Sequence, residues 1–212
     1  MAEYSLLSNA PITEALIDIR IKVRDDIDVE RIQSLHSTIA NEYPDKKALH
    51  QMESTFEFKK GEAPVSTSTE KVKGCIFTST DGKQIFQARI DGFAFNRLKP
   101  YEKWETFRDE ALRLWILYKE LLSPEIIRVA LRFINKIEIP LYPQKVLDFD
   151  DYLTSAPIIP KGLPQGVSSF LTRVVIYEPE IGASAIITQA FEQLIDPKFL
   201  PIILDIHLPD DS

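Results

Sequence analysis

The segment Ile126–Pro140, IIRVALRFINKIEIP, alternates between apolar and polar residues along most of its length. Drawn as an extended strand, it places one row of apolar side chains on a single face, because successive side chains of a strand point to opposite sides. Asn135 interrupts that row. The segment therefore predicts a long strand with one buried face, and it poses the question of why an amide lies there. The row contains Ile127, Val129, Leu131, Phe133, Asn135, Ile137 and Ile139.

The composition is that of an ordinary globular protein, with 212 residues, 44% hydrophobic and 27% charged. This length favours one large domain over residues 1–212. No window of eighteen apolar residues occurs, and the N-terminus lacks the basic start and apolar core of a secretory signal. Cys75 is the only cysteine, which excludes an intrachain disulfide and a multi-cysteine zinc site. We expect a cytoplasmic protein without a membrane partner.

The formal net charge is -7 at pH 7. Such a charge argues against a surface built as a whole to bind nucleic acid or anionic lipid. A local basic patch is still compatible with it, since the acidic residues in loops need not face the same way as the arginines.

The first half of the chain predicts a strand, a helix, several antiparallel strands and a second helix. Residues 15–23 alternate as a strand, and Asp28 is placed to cap a helix of about thirteen residues that stops before Pro44. STFEF reads as a short strand, and KKGEAPVSTSTEKVKG as its polar exit loop. Asp81-Gly82 predicts a hairpin turn between two alternating runs, and DGFAFNRL follows as a further strand.

The strongest helix signal lies at 101–122, after Pro100. Its apolar stripe is wider than one buried face needs, because Leu112, Ile116 and Leu117 extend it. We therefore expect this helix to be covered on more than one side. The aromatic residues around its start predict packing rather than an exposed stacking platform; they are Phe93, Phe95, Tyr101, Trp104 and Phe107.

The second half predicts a strand, a short helix at DFDDYL and three strands, in SFLTRVVIYE, GASAIITQAFE and PKFLPIILDIHL. Its element order repeats that of the first half without the closing helix. The fold class predicted is α+β, with a large, mostly antiparallel sheet and helices on one side. The pattern fits a duplicated β-α-β(3-4)-α unit, with pseudo-halves at about 10–122 and 123–208. We expect the last helix to be lost by truncation or supplied by a partner.

Signatures of catalysis and of metal or cofactor binding are missing from the sequence. The three histidines are scattered, and the pair Asp205 and His207 on one strand face fits an exposed acid and a solvated imidazole better than a metal site. The motifs GxSxG, GxGxxG, HExxH and the Walker A loop do not occur. We predict no catalytic residues, metal ligands or cofactor, although a hydrolase whose carboxylates come from distant positions stays an alternative.

Arginines recur on the polar face of the predicted sheet. Guanidinium groups bind phosphate and carboxylate in a bidentate manner, so their convergence would favour an anionic ligand, an acidic protein segment or RNA. The simpler interpretation is that they keep an exposed face soluble and pair across strands with Asp18, Glu57 or Glu138. The predicted ligand-binding arginines are Arg20, Arg89, Arg128, Arg132 and Arg173.

The chain resembles a sporadically distributed, functionally uncharacterised prokaryotic protein family in four segments: NAPITEALIDIRI, GFAFNRLKPYEKWETF, RFINKIEIP and PIILDI. The family pattern has an Ala-Pro-x-x-Glu start, a Phe-x-Phe-x-Arg-Leu-x-Pro-Tyr-x-x-Trp segment and an Arg-Phe-Ile-Asn-Lys strand. Members usually continue past the last strand, which implies a closing helix beyond it. The matching residues here are Ala10, Pro11, Glu14, Phe93, Phe95, Arg97, Leu98, Pro100, Tyr101, Trp104, Arg132, Phe133, Ile134, Asn135 and Lys136.

The function predicted is that of a non-enzymatic binding or accessory protein, acting through self-association as a homodimer or through a protein partner. Anionic-ligand or RNA binding on the arginine-bearing face is the alternative, with nucleic acid not favoured. For Asn135 we predict a hydrogen bond from its amide to the backbone, fixing a loop or helix end, because an unpartnered buried amide costs about 1–3 kcal/mol. The functional alternative makes Asn135 part of a ligand cavity.

Overall fold

A computed structural model describes most of the chain as an antiparallel sheet with few helices. The strand order is β2-β3-β4-β5-β1-β6-β9-β8-β7. The strands are β1 (Ile12–Ile21), β2 (Asp45–Glu57), β3 (Val65–Thr78), β4 (Gln84–Arg89), β5 (Gly92–Leu98), β6 (Ile126–Pro140), β7 (Leu171–Glu178), β8 (Ala183–Phe191) and β9 (Phe199–Asp210). The helices are α1 (Val29–Ser34), α2 (His36–Ile39), α3 (Trp104–Leu122) and a 3-10 helix (Phe149–Asp151). The structure describes all residues except 1–6, 8, 25, 58–64, 142–147, 154, 181, 192–197 and 211–212, and it leaves out the side chains of 55–57, 65 and 210.

The prediction of a large antiparallel sheet is confirmed, and the α+β class holds in its loose sense, because sheet predominates strongly over helix. The chain divides into two compact units. The first, called here the α3 unit, comprises Leu16–Leu98 and Glu102–Val129. The second, called the β9 unit, comprises Met1–Ala15, Lys99–Tyr101 and Ala130–Ser212. No helix in the described ranges is long and apolar enough to cross a membrane.

The predicted hairpin around Asp81-Gly82 joins β3 to β4. Gly82 has a φ of +68°, a left-handed conformation that glycine adopts without steric cost. The Oγ of Ser79 donates to Asp81 at 2.6 Å and accepts from the backbone N–H of Gln84 at 2.9 Å. These contacts fix the register in which Phe77 lies opposite Phe86.

The polar segment before this hairpin corrects the sequence prediction. KKGEAPVSTSTEKVKG was expected to be a loop, but β3 already begins at Val65 and pairs with the whole of β2. The cause is pairing between polar side chains: Ser54 and Ser68 share a hydrogen bond of 3.0 Å, and Lys71 lies 3.6 Å from Glu53. Because this part of the hairpin is exposed, its strands need no apolar alternation.

The predicted helix after Asp28 is divided into α1 and α2. Asp28 does cap it, since its Oδ1 accepts from the N–H of Arg31 at 2.7 Å. At Leu35 the bonding changes to three-residue spacing: Leu35 donates to Ile32 O at 3.2 Å, and Thr38 donates to Leu35 O at 3.0 Å. Such 3-10 bonding tightens the turn and interrupts the α-helix.

Helix α3 packs on an aromatic layer formed by β3, β4 and β5. The ring of Phe86 lies 5.4 Å from Phe77 and 5.2 Å from Phe93, centroid to centroid. From the helix, Tyr118 approaches Phe93 at 5.9 Å, edge on. All four rings are fully buried.

The predicted packing role of Phe93, Phe95 and Phe107 is confirmed by their burial. Trp104 is different, since it is 38% exposed. The helix begins at Trp104 rather than at Tyr101, and it ends at Leu122 as predicted. Ser123 caps it, with a left-handed conformation and an N–H that donates to Lys119 O.

In the β9 unit, the hairpins β7–β8 and β8–β9 follow the predicted strands. The predicted turn at PEIG separates β7 from β8, although residue 181 lies outside the described residues. The short helix predicted at DFDDYL is a single 3-10 turn, because Asp148 accepts from Asp150 N–H and closes it. The core of the unit consists of Ile139, Leu153, Leu200 and Ile202, with Phe149 and Phe170 packed against it.

Replacing Phe93 by Ala tests the aromatic layer. The change removes a ring that touches Phe86, Trp115 and Tyr118, so we expect a loss of about 3–5 kcal/mol in the free energy of unfolding, measured by urea titration. The control is Met52→Ala, because Met52 is 72% exposed and its truncation should change stability by less than about 0.5 kcal/mol. Equal effects of the two changes would contradict the packing described.

Candidate binding surfaces

Three of the five predicted arginines meet at one carboxylate. Asp18 lies in β1 and accepts from Arg89, at the end of β4, over 2.6 Å. Its other oxygen lies 3.1 Å from Arg128 Nη2, in β6, and 3.2 Å from Arg20 Nε, two residues along β1. The sequence prediction that Asp18 pairs across strands is thereby confirmed. Of the other two acids expected to pair, the side chain of Glu57 lies outside the described residues and Glu138 is exposed.

A second carboxylate joins the same group. Asp91, in the turn between β4 and β5, accepts from Arg20 at 3.1 Å and lies 3.5 Å from Lys73 Nζ. Its other oxygen is 3.4 Å from Arg89 Nε, an ion-pair distance without hydrogen-bond geometry. We call this group the Asp18 cluster, and its members are Asp18, Arg20, Lys73, Arg89, Asp91 and Arg128.

The Asp18 cluster is partly shielded from water. The side chains of Asp18 and Arg89 are 13% and 11% exposed, whereas that of Arg20 is 40% exposed. The Nε atoms of Arg89 and Arg128 are buried and make no hydrogen bond within the described part of the chain. Two charged donors are therefore left without a hydrogen-bond acceptor, a costly arrangement in a protein interior.

Opposing effects act on the pKa of Asp18. Burial alone raises it, but the hydrogen bond from Arg89 and the charges of Arg89 and Arg20 lower it more, so the pKa lies below its ordinary value. Asp18 is therefore ionised at neutral pH and acts as a fixed negative centre for the arginines.

The remaining two predicted arginines belong to the β9 unit. Arg132 forms a bidentate pair with Asp205 of β9, with distances of 2.9 and 2.7 Å. Arg173 is exposed on β7, where it lies opposite Thr188 of β8, and Thr188 lies opposite Asp205. Arg132 and Asp205 form a one-to-one pair of opposite charges, so this pair has no excess of positive charge.

Asn135 is buried, 8% exposed, and its amide is hydrogen-bonded to backbone as predicted. The Nδ2 donates to Leu204 O at 3.0 Å and lies 3.5 Å from Phe133 O. The partner is strand β9, not the loop or helix end that the sequence suggested. The cavity of about 660 Å³ in this unit is lined by Leu141, Phe149 and Leu200 among others, and Asn135 is not part of its lining.

Apolar side chains are exposed on the outer side of α3. Leu112 is 52% exposed and Ile116 is 44% exposed, one turn apart on the same helix face. Beside them a shallow apolar groove of about 160 Å³ runs between the helix and β1. The sequence predicted that α3 is covered on more than one side. The described residues of the chain do not cover this side of it. The groove is lined by Ile17, Ile19, Phe93, Arg108, Ala111, Leu112 and Trp115.

Sequence reasoning missed Asp91 and Lys73. The Asp91-Gly92 pair follows directly after Arg89 and marks the β4–β5 turn, so it was a usable signal for an acid near that arginine. It also missed that β7, the last strand of the sheet, is exposed along almost its whole length. Among the described residues no group of His, Cys, Asp and Glu is arranged to hold a metal ion.

A comparison with protein-family models finds no matching family, and a comparison with curated proteins finds no match. The resemblance to the prokaryotic family, the single-domain organisation, the cytoplasmic location and the hydrolase alternative therefore stay predictions.

Replacing Asp18 by Asn tests the Asp18 cluster. The change removes the carboxylate that accepts a hydrogen bond from the buried Arg89 and leaves only the longer ion-pair contact with Asp91, so we expect a loss of about 3 kcal/mol in the free energy of unfolding at pH 7. The matched control is Glu125→Gln, which removes an ion pair with Lys22 whose partners are 62% and 64% exposed, and which should change stability by no more than about 1 kcal/mol.

The pH dependence follows from the lowered pKa of Asp18. The stabilisation is fully present above the unfolded pKa of about 3.9 and is lost as the pH falls through the lower folded pKa. We expect the stability difference between the wild type and Asp18→Asn to shrink as the pH is lowered below about 4. Urea titrations from pH 7 down to pH 3 measure it, and a constant difference would contradict the assignment.

Replacing Asn135 by Leu tests the amide contact with Leu204. Because the carbonyl of Leu204 loses a donor and the larger side chain must fit a buried position, we expect a destabilisation of about 1–3 kcal/mol in thermal or urea unfolding. A variant as stable as the wild type would show that the hydrogen bond is not what keeps the amide there.

Proposed function

We propose that the protein is a non-enzymatic binding or accessory protein that acts through self-association, with the outer side of α3 as the contact between two copies. The observation that carries this proposal is the exposure of Leu112 and Ile116 beside an apolar groove. Covering large apolar side chains that face water is favourable by about 25 cal/mol per Å² of apolar area. A second copy is the occupant that fits the charges on the helix.

The charges along the exposed stripe of α3 complement those of an antiparallel copy of the same helix. A twofold axis at the level of residue 114 places Leu112 opposite Ile116 of the second copy. The same axis places Arg108 opposite Glu120, and Asp109 opposite Lys119. All six side chains lie at the helix surface and are exposed.

Each of these pairings occurs twice in such an interface, because a twofold contact uses the same surface on both partners. The apolar residues would lie at the centre and the ion pairs at the rim, which is the ordinary arrangement in protein interfaces. In the single chain, Arg108 donates two hydrogen bonds to Asp109, at 2.8 and 2.7 Å. On association, each of these side chains would exchange this contact for an ion pair across the interface.

We also infer that the chain is an internally duplicated unit. Read outward from β1, the strand order is β5, β4, β3, β2; read outward from β6, it is β9, β8, β7. The strand next to β1 is β5, which is the last strand of the first half in sequence. The strand next to β6 is β9, which is the last strand of the second half. This order supports the duplication predicted from the sequence, and the placement of the helices on one side of the sheet belongs to the same proposal.

Replacing Leu112 by Glu tests self-association. The change places a charge at the centre of the proposed contact, so we expect the dimer to dissociate to a monomer in sedimentation equilibrium while the circular dichroism spectrum is retained. Met52→Glu is the control, because Met52 is a large apolar residue that is more exposed to solvent than Leu112 but lies on β2, and the change should leave the oligomeric mass as in the wild type. A wild type that is monomeric at all accessible concentrations would overturn the proposal.

A charge exchange tests the antiparallel arrangement. Arg108→Glu places two acids opposite each other, so we expect weaker dimerisation by a factor of about 5 or more. Adding Glu120→Arg restores opposite charges and should recover the affinity. If the double variant is weaker than Arg108→Glu alone, the two helices do not meet in this register.

A further inference from the structure

We propose that the Asp18 cluster binds a small phosphate-bearing anion through Arg20 and Arg128. This site lies on the sheet and does not depend on the contact between helices. Phosphate binding at this site can therefore be tested independently of self-association.

The Asp18 cluster contains more cationic than anionic side chains. Four cationic side chains, Arg20, Lys73, Arg89 and Arg128, surround two carboxylates. The cluster thus carries an excess of two positive charges, within a chain whose formal net charge is -7. An excess of like charge in a half-buried position is unfavourable unless an anion compensates it.

The Asp18 cluster also has many hydrogen-bond donors for its two carboxylates. Asp18 is shared by three guanidinium groups and Asp91 by three cations, so each carboxylate is already engaged by more donors than it has oxygens. Within the described residues, the buried Nε atoms of Arg89 and Arg128 make no hydrogen bond, so the two carboxylates do not satisfy all the donors of these arginines. A phosphate group brings several acceptor oxygens that match the fork of a guanidinium.

Two arginines of the Asp18 cluster are accessible from solvent. The side chains of Arg20 and Arg128 are 40% and 33% exposed, so both are partly accessible to solvent. Arg89 is only 9% exposed and is held from behind, because the hydroxyl of Tyr118 donates to its backbone carbonyl at 2.7 Å. The cluster therefore has two accessible arginines, Arg20 and Arg128, next to a buried Arg89 whose backbone is held in place.

Gly92 is required by this arrangement. A Cβ at this position would lie 2.9 Å from Arg89 Nη2 and 2.5 Å from Ile19 O. Because Gly92 has no side chain, the guanidinium of Arg89 can pass close to it and contact Asp18. Glycine at this position therefore leaves room for the close approach of the β1 backbone and for the side chain of Arg89.

A small ligand fits this site better than RNA. The cluster is a single patch in an acidic chain, whereas nucleic-acid binding usually relies on cations that follow several consecutive phosphates. We therefore commit to a ligand with one or two phosphate groups.

Calorimetric titration of the full chain with pyrophosphate and with inorganic phosphate tests the proposal. We expect binding of pyrophosphate that weakens with salt, and a loss of affinity of about tenfold in Arg128→Gln, which removes one accessible guanidinium. The matched control is Arg173→Gln, an exposed arginine on β7 outside the cluster, which should bind as the wild type does.

If Arg128→Gln is poorly folded, Arg20→Gln is the second variant, because its side chain is the more exposed of the two. No binding of pyrophosphate at millimolar concentration, or equal weakening by Arg173→Gln, would overturn the proposal. Binding of a single-stranded RNA oligonucleotide that pyrophosphate does not displace would overturn it too. Loss of dimerisation in Leu112→Glu without loss of pyrophosphate binding is the result expected if both proposals hold.

Discussion

The packing of helix α3 on the aromatic layer of β3, β4 and β5 is the contact on which the α3 unit depends. Phe86 and Phe93 form the centre of that layer, and Tyr118 reaches it from the helix. The hydroxyl of Tyr118 continues to the backbone of Arg89, at the base of the Asp18 cluster. One packed layer therefore fixes both the helix and the strand end that carries the central arginine.

This arrangement leaves two surfaces with opposite chemistry. On the helix, the residues that do not face the layer include Leu112 and Ile116, which remain exposed and apolar. On the sheet, Asp18 gathers arginines from strands that are far apart in sequence. We therefore propose a protein contact for the first surface and an anion for the second, since apolar area and guanidinium donors gain most from those partners.

Much of the fold was predictable because apolar alternation and Asp-Gly turns mark strands and hairpins directly. The polar half of β3 was missed, since its pairing relies on cross-strand contacts such as Ser54 with Ser68 and leaves no periodic signal. In the sequence Arg128 and Arg132 look equivalent. Only the folded chain separates them, because their partners, Asp18 and Asp205, lie 110 and 73 residues away.

The distance between two copies of α3 tests self-association through this helix most directly. Glu105→Cys gives an exposed labelling site, while the native Cys75 is buried and remains unlabelled. With an antiparallel contact at the level of residue 114, spin labels at position 105 should lie about 30 Å apart, given a rise of about 1.5 Å per residue and a helix separation of about 8–10 Å. A dipolar spectrum without any distance shorter than about 40 Å would contradict it.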